Sequence, residues 1–239
     1  MKKYLILILG VGLFACSKKQ PGFNISVKLN GAEGKILLEQ RGSSAWIPVD
    51  TADIVEGVAV LEGKVDMPGD YYLSVLGQRP KALVFVENAK MTVTGHADSL
   101  NNIVVTGSAT HDEYAGLNSQ INDITEKYMA LYQESRAAIA AGDTAKGREI
   151  MVEVENMYES TNTMREDFIK SHPASYVNPF LLSQIQYGKE VEELEALVGG
   201  LDAKLDSIPS ILQIKAQIEK LKKVSVGQLA PDFTQNDVN

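Results

Sequence analysis

Residues 103–114 read Ile103-Val104-Val105-Thr106-Gly107-Ser108-Ala109-Thr110-His111-Asp112-Glu113-Tyr114, and two periodicities meet inside them. Before Gly107 apolar residues recur at a period near two, as in a pleated strand with one face on a core. After it they recur at Tyr114, Leu117, Ile121, Ile124, Tyr128 and Leu131. That alternation of three and four is one face of a helix. Thr110 followed by Glu113 has the form of a capping box. The junction predicts an α+β chain whose β part ends at Gly107 and whose helical part starts at Ser108.

Working back from the junction, Ile25, Val27 and Leu29 alternate with polar residues from Phe23 onward. Short apolar runs follow at 36–38, 58–61, 71–75, 83–86, 91–94 and 103–105. Turn chemistry separates them at Gly31 to Gly34, Pro68-Gly69-Asp70 and Glu87-Asn88-Ala89. Many short strands at this spacing predict an antiparallel β-sandwich or a partly open barrel over residues 23–107. Working forward, Gly142-Asp143 breaks the first helical stripe. A second runs through Ile150, Val154, Met157, Thr161, Met164 and Phe168 and stops at His172-Pro173. Asn178-Pro179 reads as the N-cap and first turn of a short helix through Tyr187. Two more helical stretches follow, near 191–198 and 211–221. Two long antiparallel helices with shorter ones packed on them, a helical hairpin or bundle, are expected over residues 108–222. Residues 223–239 are extended in character, with no core of their own.

At the N-terminus, Lys2 and Lys3 precede an almost unbroken apolar run from Tyr4 to Gly12, too short to span a bilayer as a stable helix. Leu13-Phe14-Ala15-Cys16 comes next. This stretch resembles the lipobox of bacterial lipoproteins, although Phe14 is bulkier than the residue usual there. The resemblance implies that residues 1–16 are a signal peptide and that Cys16 is acylated and becomes the new N-terminus, with residues 17–22 as a tether. An ordinary cleaved signal or a short membrane anchor is the alternative. Lipid on Cys16 implies a membrane partner and a place in the cell envelope, on the periplasmic side.

After Cys16 no cysteine remains, which excludes a structural disulfide, a thiolate metal site and a dithiol pair from residues 17–239. The net charge is −8, and the acidity lies in the second half. Residues 17–107 hold nine basic and ten acidic side chains, and residues 108–222 hold eleven and nineteen. Phosphate binding needs a basic face, so no nucleic-acid partner is expected.

Two further resemblances concern the rest of the chain. Gly227-Gln228-Leu229-Ala230-Pro231-Asp232-Phe233-Thr234 resembles the opening of thioredoxin-like domains of the AhpC/TSA and TlpA/ResA type. Residues 34–107 are similar to a domain of unknown function that precedes thioredoxin domains in lipoproteins of Bacteroides-type bacteria. Val49-Asp50-Thr51, Glu62-Gly63-Lys64-Val65, Tyr71-Tyr72-Leu73, Phe85-Val86-Glu87-Asn88 and Val105-Thr106-Gly107-Ser108 carry that likeness. Phe168 to Ser175 is also usual there. The resemblance implies that residues 223–239 open a thioredoxin-like domain that is cut off after its first residues, before its Cys-x-x-Cys.

The residues that carry chemistry elsewhere are dispersed. His96, His111 and His172 stand in separate segments without a ligand partner at a spacing such as His-x-x-x-His, so no metal centre is expected. His172 reads as a helix end. Glu190, Glu192, Glu193 and Glu195 read as a solvated face, and Met157 and Met164 as packing on the second stripe. Trp46, Tyr71 and Tyr72 either line a groove between sheet and helices or pack in a core. No catalytic residue and no cofactor is expected. The expected role is that of a membrane-tethered, non-catalytic N-terminal region of an exported thiol:disulfide oxidoreductase, serving positioning, client contact or self-association. A stand-alone envelope lipoprotein that binds a ligand or protein is the alternative.

Overall fold

The computed structural model describes residues 22–42 and 44–224. Eight strands come first: β1 (Phe23–Asn30), β2 (Lys35–Arg41), β3 (Trp46–Asp53), β4 (Ala59–Gly63), β5 (Gly69–Val75), β6 (Ala82–Val86), β7 (Lys90–His96) and β8 (Val104–Thr106). They form two four-stranded sheets, in the orders β4-β1-β7-β8 and β3-β2-β5-β6. Alternate residues of both sheets turn inward, as the period of two requires. Ile25, Val27, Leu61 and Val93 of the first sheet share one core with Ile36, Leu38, Leu73 and Val84 of the second. The α+β organisation read from the sequence is the one found, and no barrel closes.

Three details depart from the reading. β3 was not among the expected strands, because it is an edge strand, exposed along most of its length, that carries Pro48. β1 pairs with β7 in parallel, Asn24 opposite Lys90 through Asn30 opposite His96, while every other ladder among the described residues is antiparallel. Alternation fixes which face a residue takes but not the direction of its neighbour. Finally, β3 and β4 are joined by a tight turn but lie in different sheets. Glu56 and Gly57 both have positive φ, 52° and 78°, and Val55 and Val58 exchange hydrogen bonds across them. This is the turn whose twist suits a two-residue connection. The Asp50 carboxylate then accepts the Glu62 N–H at 2.7 Å and ties the two sheet edges together.

The helices are α1 (Ala109–Ala140), α2 (Thr144–Ser171), α3 (Asn178–Ile185), α4 (Val191–Gly199) and α5 (Pro209–Val224). α1 and α2 form the expected antiparallel hairpin, and α3, α4 and α5 pack at its base. A second core gathers Leu117 and Ile121 of α1, Ile169 of α2, Leu181, Leu182 and Ile185 of α3, Leu194 of α4 and Ile211, Ile214 and Ile218 of α5. Its one fully buried strand residue is Phe85. α5 continues two residues past Lys222. No helix among the described residues is long and apolar enough to cross a membrane.

Both expected caps are placed differently. α1 begins at Ala109 and its cap is Ser108, whose hydroxyl accepts the His111 N–H at 3.0 Å. Thr110 and Glu113 are drawn off into tertiary bonds, Thr110 to Glu87 at 2.9 Å and Glu113 to Ser175. Asn178 is the first residue of α3 rather than its cap, and its side-chain amide donates to the His172 carbonyl at 2.7 Å.

Candidate functional site

The two cores meet where α1 leaves the sandwich, and β6 explains why. Its run Ala82-Leu83-Val84-Phe85-Val86 is apolar on both faces, the mark of a strand covered on both sides. Ala82, Val84 and Val86 face the sandwich core, while Leu83 and Phe85 face the helices. Phe85 packs against Tyr114 (ring centroids 5.1 Å apart) and edge-on against Phe180 (5.8 Å).

Polar bonds fix the same joint. Ser108 Oγ donates to the Phe85 carbonyl at 3.0 Å, and the Phe85 N–H donates to His111 Nδ1 at 3.3 Å. The Glu87 carboxylate accepts the Ala109 N–H at 2.7 Å and the Thr110 hydroxyl. A carboxylate at the first turn also meets the positive end of the helix dipole. Burial lowers the pKa of His111, against a smaller opposing pull from Asp112, so the ring stays neutral and Nδ1 remains an acceptor.

Beside this joint, the outer face of the second sheet carries a polar and aromatic cluster. Trp46 meets Tyr72 edge-on at 4.8 Å, and the Lys81 ammonium sits 4.6 Å from the Trp46 ring centroid. Lys81 is ion-paired with the buried Glu39, which also accepts the Ser74 hydroxyl at 3.2 Å. Tyr71 points the other way, into the sandwich core. Of the three residues weighed between a groove and core packing, Trp46 and Tyr72 form a surface cluster and Tyr71 packs in the core, because neighbours in a strand face opposite sides. Burial raises the pKa of Tyr72, with Asp70 adding to the rise, and raises that of Tyr114, with Tyr72 adding to it. Asp70 itself is raised by burial.

A separate cleft of about 360 Å³ opens between α2 and α4, with Ile169, Ala196 and Leu197 as its apolar lining and Glu166, Lys170 and Glu193 among its polar residues. Lys189 bridges Glu166, which compensates the charge there.

The residues singled out in the sequence are not brought together. His96 is exposed and caps a 3₁₀ turn by accepting the Asp98 N–H. His172 stacks on Phe168 with centroids 4.4 Å apart at the end of α2. Glu190, Glu192, Glu193 and Glu195 are all exposed, and Glu195 holds Lys222 at 2.6 Å. Met164 packs against the helical core. Among the described residues no three His, Cys, Asp or Glu side chains are placed to share a metal ion. Cys16 and the stretch 227–234 lie outside the described residues. Glu39 and Lys81 went unnoticed in the sequence, and Phe85 was read there only as part of an apolar run and of the family likeness. The signal for Phe85 was present in the unbroken apolar run of β6, whereas a lone glutamate after Ile36-Leu37-Leu38 gives no sign of the lysine it meets 42 residues later.

No curated protein and no solved structure matches the chain. Residues 23–114, the sandwich together with the first turn of α1, match a family model described as "Domain of unknown function (DUF4369)".

Proposed function

We propose that this chain is the membrane-tethered, non-catalytic region of an exported thiol:disulfide oxidoreductase of the thioredoxin-like type, and that it holds and orients the redox domain. The observation that carries this reading is the stretch Gly227-Gln228-Leu229-Ala230-Pro231-Asp232-Phe233-Thr234, which resembles the opening of a thioredoxin-like domain, and the distribution of thiols makes the rest of the chain non-catalytic. Disulfide exchange needs a thiolate and proceeds through a mixed disulfide. The one cysteine of the chain, Cys16, stands at the lipobox-like site, where a lipid thioether leaves no thiol to react. The joint at Phe85 supports a positioning role, because a sandwich bonded to α1 through side chains and backbone transmits orientation better than a flexible linker. Two lipid signals give stable anchoring where one gives marginal binding. A second reading, a stand-alone envelope lipoprotein that binds a partner, is favoured by the Trp46, Tyr72 and Lys81 cluster.

Two measurements test the first reading. Metabolic labelling with a fatty-acid analogue should tag the wild type and spare Cys16→Ser. The reading frame beyond the codon for Asn239 should encode a Cys-x-x-Cys pair, and the extended protein should reduce insulin where residues 1–239 do not. An extended frame without a cysteine pair leaves the binding lipoprotein as the account.

A further inference from the structure

We propose that the α1–α2 hairpin is a homodimerisation arm, and that a second copy of this chain packs on one of its faces to form an antiparallel four-helix bundle. Beyond Ile121 and Thr161 the two helices pack chiefly on each other, over about 19 residues or about 28 Å. Their seam there is thin. Its buried residues are Ser135, Gly147, Ile150, Val154 and Thr161. A two-helix arm of this length with small and polar residues in its seam is a marginal structure in water.

The two outward faces of the arm differ. Ser135 Oγ donates to the Gly147 carbonyl at 2.7 Å, and Tyr128 meets Tyr158 edge-on at 6.5 Å. These contacts fix the register and place Met151 beside Tyr132 and Glu155 beside Met129. Helical spacing then puts Met129, Tyr132, Met151 and Tyr158 on one face together with Arg136, Arg148 and Glu155, while Ile139 leans over Gly147 at the seam. Met129, Tyr132 and Tyr158 are 37% to 51% exposed. The opposite face carries Lys127, Glu134, Lys146 and Glu153, with Glu134 and Lys146 paired at 3.0 Å. An arm with one charged side and one side of large apolar residues rimmed by charges has the form of half a bundle.

The apolar face specifies a copy of itself. A two-fold axis at Tyr132 and Met151 runs the second arm antiparallel. It brings Glu155 of each copy opposite Arg136 and Arg148 of the other, and lays Met129 toward the Ile139 end. This self-complementarity is what an isologous contact requires. Two helices about 9 Å apart and about 28 Å long bury on the order of 600–800 Å² per copy. That reaches the roughly 1,200–1,600 Å² total of a stable interface.

The test is disulfide trapping in the full chain. Tyr132→Cys and Met151→Cys lie at the axis, so mild oxidation in the envelope should join each to its own copy and give a band of twice the chain mass. Glu134→Cys, on the polar face, should stay monomeric. Sedimentation of the purified full chain in detergent should show a dimer. Glu155→Arg should weaken that dimer at least tenfold, and Glu155→Arg with Arg136→Glu and Arg148→Glu should restore it, with unchanged circular dichroism throughout. Equal trapping from Glu134→Cys, a monomer at 100 µM, or a trapped band containing a different protein overturns the proposal.

Discussion

Ser108 holds the Phe85 carbonyl at 3.0 Å while its own oxygen accepts the His111 N–H at 3.0 Å, so one hydroxyl both caps α1 and fastens it to β6. Losing a cap costs about 0.5–2 kcal/mol. Leaving a buried carbonyl without its donor adds about 1–3 kcal/mol. Ser108→Ala should therefore destabilise the protein by about 2–4 kcal/mol in urea unfolding. A loss below about 0.5 kcal/mol would show that the bond to Phe85 is not made in solution.

Phe85 is the strand residue through which the helical core grips the sandwich. Truncation of a buried Phe costs about 3–5 kcal/mol. Phe85→Ala should lose that much, and its unfolding should separate into two transitions by near-UV and far-UV circular dichroism. Val84→Ala, which faces the sandwich core, should destabilise without that separation.

His111 sets a pH dependence whose sign follows from its depressed pKa. The fold binds the neutral ring, while the unfolded chain takes up a proton near the ordinary value of 6.5. Between the folded and unfolded pKa values the unfolded state holds more protons, so stability falls as pH drops below about 6.5. His111→Gln keeps an acceptor for the Phe85 N–H and has nothing to protonate. Thermal unfolding between pH 5 and pH 7.5 should show a smaller acid loss in that variant than in the wild type.

Asp70 works in the opposite direction. Burial raises its pKa, so its contribution is fully present below the unfolded value of 3.8 and is lost as pH rises through the folded pKa. Asp70→Asn should raise the melting temperature at pH 7 and leave it unchanged at pH 3. A lower melting temperature at pH 7 would mean that the charged carboxylate has a favourable partner.

Gly107 connects β8 to the cap of α1 with φ at +87°, and a Cβ there would lie 2.2 Å from the Lys90 carbonyl oxygen. The left-handed region alone disfavours a side chain, and backbone cannot yield as a flexible side chain can. Gly107→Ala should cost more than about 2 kcal/mol, read as a drop in the urea midpoint. Gly57→Ala, with positive φ but open space around it, should cost less.

The halves of the fold were legible because their periods differ and because Gly107 marks the change. What the sequence could not supply was pairing at a distance. Thr110 and Glu113 have the spacing of a capping box, yet Glu87 and Ser175 claim them. A local motif is only an offer, and a tertiary partner outbids it when the neighbouring residue, here Ser108, caps the helix as well. Tyr71 and Tyr72 are chemically alike, and strand alternation alone separates them into core and surface. Trp46 sits on a strand with no apolar alternation, so neither the strand nor the Lys81 above its ring was visible.

The parallel pairing of β1 with β7 carries a consequence for timing. β1 is an inner strand flanked by β4 and β7, and its parallel neighbour begins 66 residues further along, at Lys90 against Asn24. Hairpins such as β2–β3 close as soon as they exist, but this ladder waits for nearly the whole β region to emerge. Such non-local contacts raise contact order and slow folding. A chain released from its N-terminal end first would keep one edge of β1 unpaired until β7 arrives, and during that interval the open edge is where strands of other chains could add.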